Sequence, residues 1–305
     1  MIALVVLNYN DYETTAEFIS RVEPYRNIHK IIIVDNQSTD DSFARLTKFK
    51  SGKVDVIQAS VNKGYAAGNN YGIRYALEVY MPEYIIISNP DVAFEASVVD
   101  SLYRSFRTLP NVGIVSCRMI CLSGIALDSA WRLPNYTDYM IGNFPIMEKL
   151  LHFRTSYSEE YLSGEIVEVD AVSGAFFMIS AEAFQSAGGF DEDTFLYGEE
   201  ILIAERLRLG GFKTYFLSGE QYLHKHSASI DKSIPSLRKK LLMRQQSREI
   251  HCKKYLHTKK WQISLLWITF YIGLYERIAL SKIKTFIRCL FKKSVKMTRF
   301  NCHYN

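Results

Sequence analysis

The fold of this chain is decided by one stretch, Tyr84-Ile85-Ile86-Ile87-Ser88-Asn89-Pro90-Asp91-Val92. Its three consecutive isoleucines are typical of a β-strand that is covered on both faces. Pro90 has no N–H to donate to a neighbouring strand, so the strand is expected to end before it. The carboxylate of Asp91 is thereby carried just past the C-terminal end of the strand.

Asp91 is a candidate metal ligand because of where the strand leaves it. Ligands of open α/β sheets bind beyond the carboxyl ends of the strands. Mg²⁺ and Mn²⁺ take carboxylate oxygens, usually together with phosphate oxygens of a substrate. We therefore predict that Asp91 holds Mg²⁺ or Mn²⁺ on a nucleotide diphosphate. A turn aspartate that merely follows an interior strand would have the same spacing, so the rest of the chain has to separate the two.

Three further apolar runs precede this strand, and each is followed by a polar loop and a helical pattern. The predicted strands are Ile2–Leu7, Lys30–Val34 and Val54–Gln58, and the predicted helices are Asp11–Val22, Ser42–Phe49 and Tyr71–Val79. Strands that alternate with helices are joined by crossover connections and form a parallel sheet. The predicted fold class is therefore α/β, with the polar loops gathered at one edge of the sheet.

The composition is that of a globular chain of 305 residues with a net charge of +5 and many aromatic residues, 20 Tyr and 18 Phe. The five cysteines are scattered and odd in number, which argues against a disulfide framework and favours a reducing compartment. The apolar N-terminal run is too short for a signal peptide and has no basic segment before it. Because the chain has no nucleic-acid-binding motif, we expect no nucleic acid partner.

The loops after the second and third strands carry groups that suit a nucleotide. Asp35 is placed to accept a hydrogen bond from a pyrimidine imide N–H, and Lys63 and Arg74 are candidate phosphate partners. Gly64 and Gly68 allow backbone to approach a ligand closely, although ordinary turn chemistry would also explain them. Their spacing is not that of a dinucleotide-binding motif or a P-loop.

Two adjacent carboxylates, Glu199 and Glu200, are candidates for acid–base chemistry. They open the predicted helix Ile201–Leu209. Acidic residues at a helix N-terminus complement the helix dipole, which is the simpler explanation. A general base has to face a cleft and have a pKa suited to accepting a proton.

His224 is a candidate second ligand for the metal on Asp91, because imidazole is an acceptable ligand for Mn²⁺. His226 is the alternative ligand in the same segment. An exposed loop histidine would explain either residue without any metal.

Taken together, these motifs resemble family 2 glycosyltransferases of the GT-A fold, in particular the bacterial rhamnosyltransferase-like branch. The resemblance implies a Rossmann-like mixed sheet with helices on both faces. Asn89 stands in place of the first aspartate of the family's D-x-D motif, which makes a second metal ligand more important. The matching segments follow the family's order over roughly residues 1–229: Val5–Asn10, Val34–Asp40, Asn62–Asn70, Ser88–Asp91, Ser173–Phe176, Gly188–Glu192, Phe195–Glu200 and His224.

The resemblance also implies roles for individual residues. Asp91 and His224 bind the metal, and Glu200 is the catalytic base, with Glu199 beside it. Arg206 lies on the same helix and would approach the leaving diphosphate. The implied donor-binding residues are Asn8, Asn10, Asp35, Asn62, Lys63, Gly64, Asn70 and Asn89.

The implied reaction is an inverting displacement, in which Glu200 takes the proton of an acceptor hydroxyl and a nucleoside diphosphate leaves. The favoured donor is dTDP-rhamnose, with UDP-hexoses as the alternative. The implied acceptor is a growing surface glycan, O-antigen or capsule, carried on a polyprenyl diphosphate. A sugar nucleotidyltransferase would need a glycine-rich basic segment after the first strand, which is lacking. A degenerate domain kept for binding or assembly would explain Asn89.

The C-terminal part is basic and contains an apolar, aromatic run, Trp261–Tyr275, that ends at Glu276 and Arg277. This run of about 15 residues is shorter than the roughly 20 that a spanning helix needs. Trp and Tyr beside basic clusters suit the headgroup layer of an anionic membrane. We therefore predict a helix that lies on or re-enters the cytoplasmic face of the inner membrane, with a packed or oligomeric helix and a true span as alternatives.

These patterns divide the chain into three predicted parts. Residues 1–115 form the nucleotide-sugar-binding half of one domain, and residues 116–229 form its acceptor-binding and catalytic half. Within the second half, residues 123–165 have weak periodicity and are predicted to be an acceptor-side excursion. Residues 230–305 form a helical, basic extension that associates with the membrane.

Overall fold

The computed structural model describes residues 1–225 and 236–300, and side chains are described up to residue 283. His226, the alternative metal ligand, lies outside the described residues. The chain divides into two compact units. Unit 1 contains Met1–Leu133 and Thr155–Tyr255, and unit 2 contains Pro134–Arg154 and Leu256–Asn305.

Within the described residues, unit 1 is built on a nine-stranded sheet. The strands of the chain are β1 (Ile2–Asn8), β2 (Lys30–Asp35), β3 (Val54–Gln58), β4 (Tyr84–Ser88), β5 (Val92–Ala93), β6 (Val112–Ile120), β7 (Ala130–Trp131), β8 (Ile166–Val169), β9 (Ala171–Val172), β10 (Phe176–Ser180) and β11 (Lys213–His224). The order in the main sheet is β3-β2-β1-β4-β10-β6-β11-β5, and β8 also pairs with β11. The remaining two strands, β7 and β9, form a small antiparallel sheet.

Ten helices occur among the described residues, and short 3₁₀ turns occupy Thr47–Phe49 and Tyr161–Ser163. The helices are α1 (Tyr12–Val22), α2 (Ser42–Leu46), α3 (Tyr65–Tyr80), α4 (Ala96–Thr108), α5 (Tyr136–Gly142), α6 (Pro145–Leu150), α7 (Ala181–Ser186), α8 (Glu199–Leu209), α9 (Leu237–Lys254) and α10 (Lys260–Phe300).

The sheet is mixed and is covered on both faces, as predicted. Strands β1 to β4 pair in parallel, whereas β10 pairs antiparallel to both β4 and β6. Along β1, Leu4 and Val6 belong to one buried apolar cluster, while Ala3 and Val5 belong to the other. Successive side chains of a strand point to opposite faces, so a strand with two buried faces has to be apolar throughout.

The glycines that follow β3 lie mostly inside helix α3, which begins six residues before the predicted start at Tyr71. A β-carbon at Gly68 would come within 2.5 Å of the Leu7 side chain. A β-carbon at Gly72 would come equally close to the Val34 side chain. These glycines let the helix approach the sheet, so their role is packing within the protein rather than access for a ligand.

Unit 2 joins α5 and α6 to the long helix α10, so part of the predicted excursion 123–165 is helical. The Asn143 amide donates to the Leu266 carbonyl oxygen at 3.2 Å and to the Thr269 hydroxyl at 3.0 Å. The Tyr136 hydroxyl donates to the Gln262 carbonyl oxygen at 2.8 Å. These bonds fix α10 against the α5–α6 segment.

One stretch of the described chain, Lys260–Ile283 in α10, is long and apolar enough to cross a membrane, with a mean hydropathy of 1.4. Length and composition alone identify it, and a core helix of a soluble protein passes the same test.

Substituting alanine for Gly273 tests the packing of unit 2. The added β-carbon would come within 1.8 Å of the Asn143 carbonyl oxygen, so helix α10 has to move away from it. Overpacking of this kind costs about 1–3 kcal/mol. We expect faster hydrogen exchange in α10 and α5 and a lower midpoint of thermal unfolding. Gly219→Ala is the control, because no atom lies within 4 Å of its added carbon. Equal stability of the two variants would contradict this packing.

Candidate active site

The pairing of β5 with β11 brings Asp91 and His224 together. The two strands are antiparallel, with His224 opposite Val92. The Asp91 Oδ1 and the His224 Nε2 are 3.3 Å apart, and both side chains are largely buried. The backbone N–H of Lys225 also donates to the Asp91 carbonyl oxygen at 2.9 Å. The end of β11 is therefore fixed beside the loop that carries Asp91.

This pair fits a divalent cation that is shared with a substrate. No cluster of three or more His, Cys, Asp or Glu side chains suited to a metal occurs in the part of the chain that the structure describes. A cation at this place would therefore have two protein ligands, a carboxylate oxygen of Asp91 and an imidazole nitrogen of His224. Mg²⁺ and Mn²⁺ commonly complete their coordination with water and substrate phosphate oxygens, so a two-residue site is suited to a nucleotide diphosphate.

The Asp91 loop is anchored to the segment that precedes β10. The Asn89 backbone N–H donates to the Ala175 carbonyl oxygen at 2.8 Å. The neighbouring Gly174 carbonyl oxygen accepts a 2.6 Å hydrogen bond from the Tyr65 hydroxyl, at the first residue of α3. Three segments far apart in sequence are thus held in fixed positions around Asp91.

The two glutamates begin helix α8, behind a tight turn. Tyr197 and Gly198 both have left-handed backbone conformations, with φ of 73° and 86°. Glu199 is only 4% exposed, and its Oε1 has no hydrogen-bond partner among the described residues. Glu200 is half-buried. A buried carboxylate with an unpaired oxygen is costly in its charged form, so the protonated form is favoured.

Burial raises the pKa of both glutamates, but their surroundings differ. Burial first, and the charge of Glu200 second, raise the pKa of Glu199 to about 8. Burial also raises the pKa of Glu200, while the positive charge of Arg244 acts in the opposite direction. Two neighbouring carboxylates with different surroundings divide the acid and base roles between them. Of the two glutamates, Glu200 is the one for which a nearby positive charge favours the ionised form.

Two buried tyrosines connect the glutamates to the Asp91 site. Tyr65 lies within electrostatic range of Glu199 and Glu200 and also of Tyr222. Tyr222 in turn lies within range of Asp91. Burial is the main cause that raises the pKa of each tyrosine, so both remain protonated. Hydrogen bonds of Tyr65 also reach both regions, because its backbone N–H donates to the Phe195 carbonyl oxygen at 2.9 Å and its hydroxyl to the Gly174 carbonyl oxygen. Tyr65 therefore contacts both the loop before the glutamate pair and the segment that anchors the Asp91 loop.

Helix α9, which follows the undescribed segment, forms part of this site. The Arg244 guanidinium carbon lies 5.2 Å from the centre of the Tyr197 ring. A β-carbon at Gly198 would come within 3.0 Å of the Ser247 β-carbon, so α9 packs directly on the turn before α8. A basic helix that sequence reasoning assigned to a membrane-associated extension is thus in contact with the glutamate turn.

Arg206 was predicted to approach the leaving diphosphate, but in the structure its guanidinium binds groups of the protein. Its guanidinium pairs with the buried Asp191 carboxylate at 2.9 Å and donates to the Gly189 carbonyl oxygen at 2.8 Å and the Tyr255 hydroxyl at 2.7 Å. Lys254 of α9 contacts the same Asp191 carboxylate at 2.8 Å. Arg206 therefore ties α8 to α9 and to the loop before α8.

Asp35 at the end of β2 is hydrogen-bonded to Asn8 at the end of β1. Asp35 is fully buried and accepts hydrogen bonds from the Asn8 amide, the Ser38 hydroxyl and N–H, and the Gln58 amide, at distances of 2.6–3.0 Å. A carboxylate has about four acceptor positions, so all are occupied. A nucleobase at Asp35 would have to replace one of these donors. Ser38 and Gln58 are half-exposed, whereas Asn8 is buried.

The other predicted donor-binding residues form the rim of the same loops. Asn10 exchanges hydrogen bonds with Thr39, and Asn62 accepts from the Asn36 amide at 3.0 Å. A β-carbon at Gly64 would come within 2.0 Å of the Phe195 carbonyl oxygen, so this glycine admits protein backbone. Two further predicted residues, Lys63 and Asn89, are exposed and half-exposed respectively.

Asn70 lies deeper than predicted and faces the loop before α8. Its amide donates to the Phe190 carbonyl oxygen at 2.9 Å and to the Glu192 carboxylate at 2.8 Å. Its carbonyl oxygen accepts from the Phe190 N–H at 2.9 Å. Asn70 therefore fixes the Phe190 loop, and Arg74 pairs with the same Glu192 at 3.0 Å.

Sequence reasoning missed Tyr65, Tyr222 and Arg244 as members of the site. Tyr65 stands beside Gly64 in a matched motif, which is a signal that could have been used. Tyr222 lies on the same strand as His224, at the spacing that places both on one face. For Arg244 the sequence gives no signal, because only packing shows which residue of a basic helix meets the site.

Two solved glycosyltransferase structures share this fold. A mannosyltransferase from Pyrobaculum calidifontis, solved with GDP-Man and Mn²⁺, has a TM-score of 0.56 at 13% identity, over 94% of this chain and 79% of its own. GalNAc-T7, solved with UDP, GalNAc and Mn²⁺, has a TM-score of 0.55 at 15% identity, over 75% of this chain and 44% of that one. The likeness concerns the fold and confirms the predicted GT-A architecture.

Curated relatives are similar over the region of the motifs. A low-salt glycan biosynthesis hexosyltransferase, Agl10 of Haloferax volcanii, is 26% identical over 68% of this chain. An N-acetylglucosaminyl-diphospho-decaprenol L-rhamnosyltransferase of Mycobacterium tuberculosis is 25% identical over 64% of it. The chain spans 61% and 66% of the lengths of these two relatives. Rhamnosyltransferase WbbL of Escherichia coli is 23% identical over 73% of this chain and 83% of its own length.

The sequence profile of one family covers the first part of the chain. Residues 3–184 match glycosyl transferase family 2, which is more than half of the 305 residues. The match includes the Asp91 loop and ends before Glu199 and His224, whose positions rest on the geometry above. The chain belongs to glycosyl transferase family 2.

Proposed function

We propose that this protein is an inverting, metal-dependent glycosyltransferase that moves a sugar from a nucleotide diphosphate to a hydroxyl of a growing bacterial surface glycan. The observation that carries the proposal is that Tyr65 binds both the loop before the glutamate pair and the segment that anchors the loop of the Asp91–His224 pair. One pair is suited to the leaving diphosphate and the other to the attacking hydroxyl.

Glu200 acts as the general base in this mechanism. It takes the proton of the acceptor hydroxyl while that oxygen attacks the anomeric carbon, and the nucleoside diphosphate departs from the opposite face. Base catalysis of this type contributes about 10²–10⁴-fold. Glu199 stays protonated near neutral pH, so a single negative charge is available and lies on the more accessible of the two residues.

Asp91 and His224 would hold the metal, which when bound would stabilise negative charge on the diphosphate by several kcal/mol. Their burial keeps the imidazole and the carboxylate in place. The exposed Lys63, at the rim of the same loops, adds a positive charge where phosphates would lie.

The favoured donor is dTDP-rhamnose and the favoured acceptor a glycan on a polyprenyl diphosphate. Support comes from two relatives, the decaprenol-linked rhamnosyltransferase and rhamnosyltransferase WbbL. The hexosyltransferase Agl10 supports a UDP-hexose as the alternative donor. A lipid-linked acceptor places the protein on the cytoplasmic face of the inner membrane, as a peripheral protein.

Glu200→Gln and Glu199→Gln separate the roles of the two glutamates. We expect Glu200→Gln to lower the transfer rate by about 10²–10⁴-fold while donor binding stays nearly unchanged, because only the base is lost. We expect Glu199→Gln to remain close to the wild-type rate at pH 7, because glutamine resembles the protonated acid. Release of nucleoside diphosphate from a panel of nucleotide sugars measures the rate, and calorimetry measures donor binding.

The reverse result, a large loss in Glu199→Gln alone, would show that the base is assigned to the wrong residue. Full activity of both variants would exclude both glutamates as the base. Donor binding without any transfer by the wild type would favour a protein that binds nucleotide sugars without transferring them.

Arg244→Gln tests the electrostatic control of Glu200. Removal of the guanidinium raises the pKa of Glu200, so the base becomes available only at higher pH. We expect the acidic limb of the kcat/KM profile to move upward by as much as about one pH unit, and less in 1 M salt, where the Debye length is about 3 Å. Lys239→Gln, at an exposed position of the same helix, is the charge-matched control. Identical profiles for both variants would remove Arg244 from the site.

Asp91→Asn and His224→Gln test the metal pair independently of turnover. Loss of an outer-shell partner alone lowers metal affinity about 10–100-fold, so loss of either ligand should cost at least as much. Electron paramagnetic resonance of Mn²⁺ with added dTDP measures the binding. Asp193→Asn is the control, at an exposed carboxylate of unit 1. Wild-type Mn²⁺ affinity in both ligand variants would exclude this site.

A further inference from the structure

Unit 2 exposes apolar side chains on helix α6 and on helix α10. On α6, the exposed fraction is 56% for Ile146 and 75% for Leu150. On α10, one face exposes Trp261, Leu265, Ile268, Tyr271, Ile272, Tyr275, Ile278 and Ile283. Exposed apolar surface of this extent is uncommon on a soluble protein and marks a contact surface.

The opposite face of α10 is already used within unit 2. Leu266, Phe270 and Leu274 are buried, and Gly273 packs on Asn143. The buried positions and the exposed apolar positions follow helical spacing on opposite sides. The exposed face is therefore an additional apolar surface, which the fold of unit 2 leaves open.

Glu276 and Arg277, the two charged residues that interrupt the apolar run, both bind backbone groups within unit 2. The Glu276 carboxylate accepts a 2.6 Å hydrogen bond from the Ile146 backbone N–H, in the first turn of α6. The Arg277 guanidinium donates to the Gly142 carbonyl oxygen at 3.1 Å. Between Lys260 and Lys282, no charged side chain is therefore exposed on α10.

We propose that the exposed faces of α6 and α10 form one surface that inserts into the headgroup layer of an anionic lipid bilayer. Glu276 joins the start of α6 to α10, so the exposed side chains of both helices border on each other. Residues 145–151, predicted to lie on the acceptor side, thus form half of a membrane contact. The proposal rests on the proposed function only in that a lipid-linked acceptor gives this contact a purpose.

The charges around this surface favour anionic lipid over a second copy of the chain. Every exposed charged side chain among the described residues of unit 2 is positive: Lys149, Arg154, Lys259, Lys260 and Lys282. The acidic residues Asp138, Glu148 and Glu276 are buried or half-buried. Two such surfaces would repel each other, whereas anionic headgroups attract basic residues. Trp261, Tyr271 and Tyr275 suit the boundary between headgroups and acyl chains.

Vesicle flotation of the full chain tests the proposal. We expect binding to vesicles of phosphatidylcholine with phosphatidylglycerol, weaker binding to phosphatidylcholine alone, and weaker binding in high salt. The double variant Leu150→Glu/Ile272→Glu should lose at least about tenfold in partitioning, since both side chains are exposed and apolar. The single variants should each lose part of it, because each helix supplies half of the surface.

Met81→Glu/Leu209→Glu is the matched control, because these exposed apolar residues lie in unit 1. Circular dichroism confirms that all variants are folded. Equal vesicle binding by the two double variants would overturn the proposal. A wild-type dimer in analytical ultracentrifugation that the unit 2 variant abolishes, without vesicle binding, would also overturn it and assign the surface to a second copy.

Transfer to a water-soluble acceptor separates this proposal from the proposed function. The Leu150→Glu/Ile272→Glu variant should keep its rate with that acceptor, because no residue of the active site is changed. Loss of vesicle binding with normal soluble transfer supports the membrane surface. Normal vesicle binding with no transfer by the wild type would instead refute the enzymatic function alone.

Discussion

The site depends on one structural constraint, the antiparallel pairing of the two-residue strand β5 with the end of β11. Without it, Asp91 would be an ordinary turn residue after an interior strand. With it, a histidine from a distant part of the chain lies 3.3 Å from the carboxylate. Backbone hydrogen bonds fix this register, so the geometry does not depend on the long side chains at the rim. A cation between two such residues needs substrate oxygens to complete its coordination, which couples metal binding to the donor.

The second constraint is the unequal environment of two adjacent glutamates. Glu199 and Glu200 are adjacent in α8, yet Glu199 is only 4% exposed whereas Glu200 is half-buried. Burial favours the neutral form of Glu199, and a neutral neighbour spares Glu200 the repulsion of a second charge. Arg244 reduces the remaining cost of ionising Glu200. In the proposed mechanism, Glu200 is therefore the one base that the two carboxylates supply.

The sequence was sufficient for the parts of the structure that local physics determines. The sequence pattern predicted β1 to β4 within one residue. In β1, β2 and β4 the signal is an apolar run typical of strands buried on both faces. In the edge strand β3 the polar Asp55 and Gln58 lie at partly exposed positions. The early start of α3 was missed because glycines that look like a loop are required for packing on Leu7 and Val34. Asn8, Asn70 and Arg206 were assigned to the substrate, whereas the structure gives their polar groups protein partners. Motif matching finds such residues but cannot say which atoms they bind.

The C-terminal part shows why composition was a poor guide to its organisation. Basic residues fill both α9 and the start of α10, yet only α9 belongs to unit 1. Two buried carboxylates account for this. Asp191 pairs with Lys254 and Glu205 with His251, and each carboxylate also has an arginine partner from α8. Departure of α9 would take one polar partner from each of these two buried carboxylates, so α9 is held against α8. These contacts therefore keep α9 beside the helix that begins with the two glutamates, whereas the exposed apolar side chains of α6 and α10 belong to unit 2.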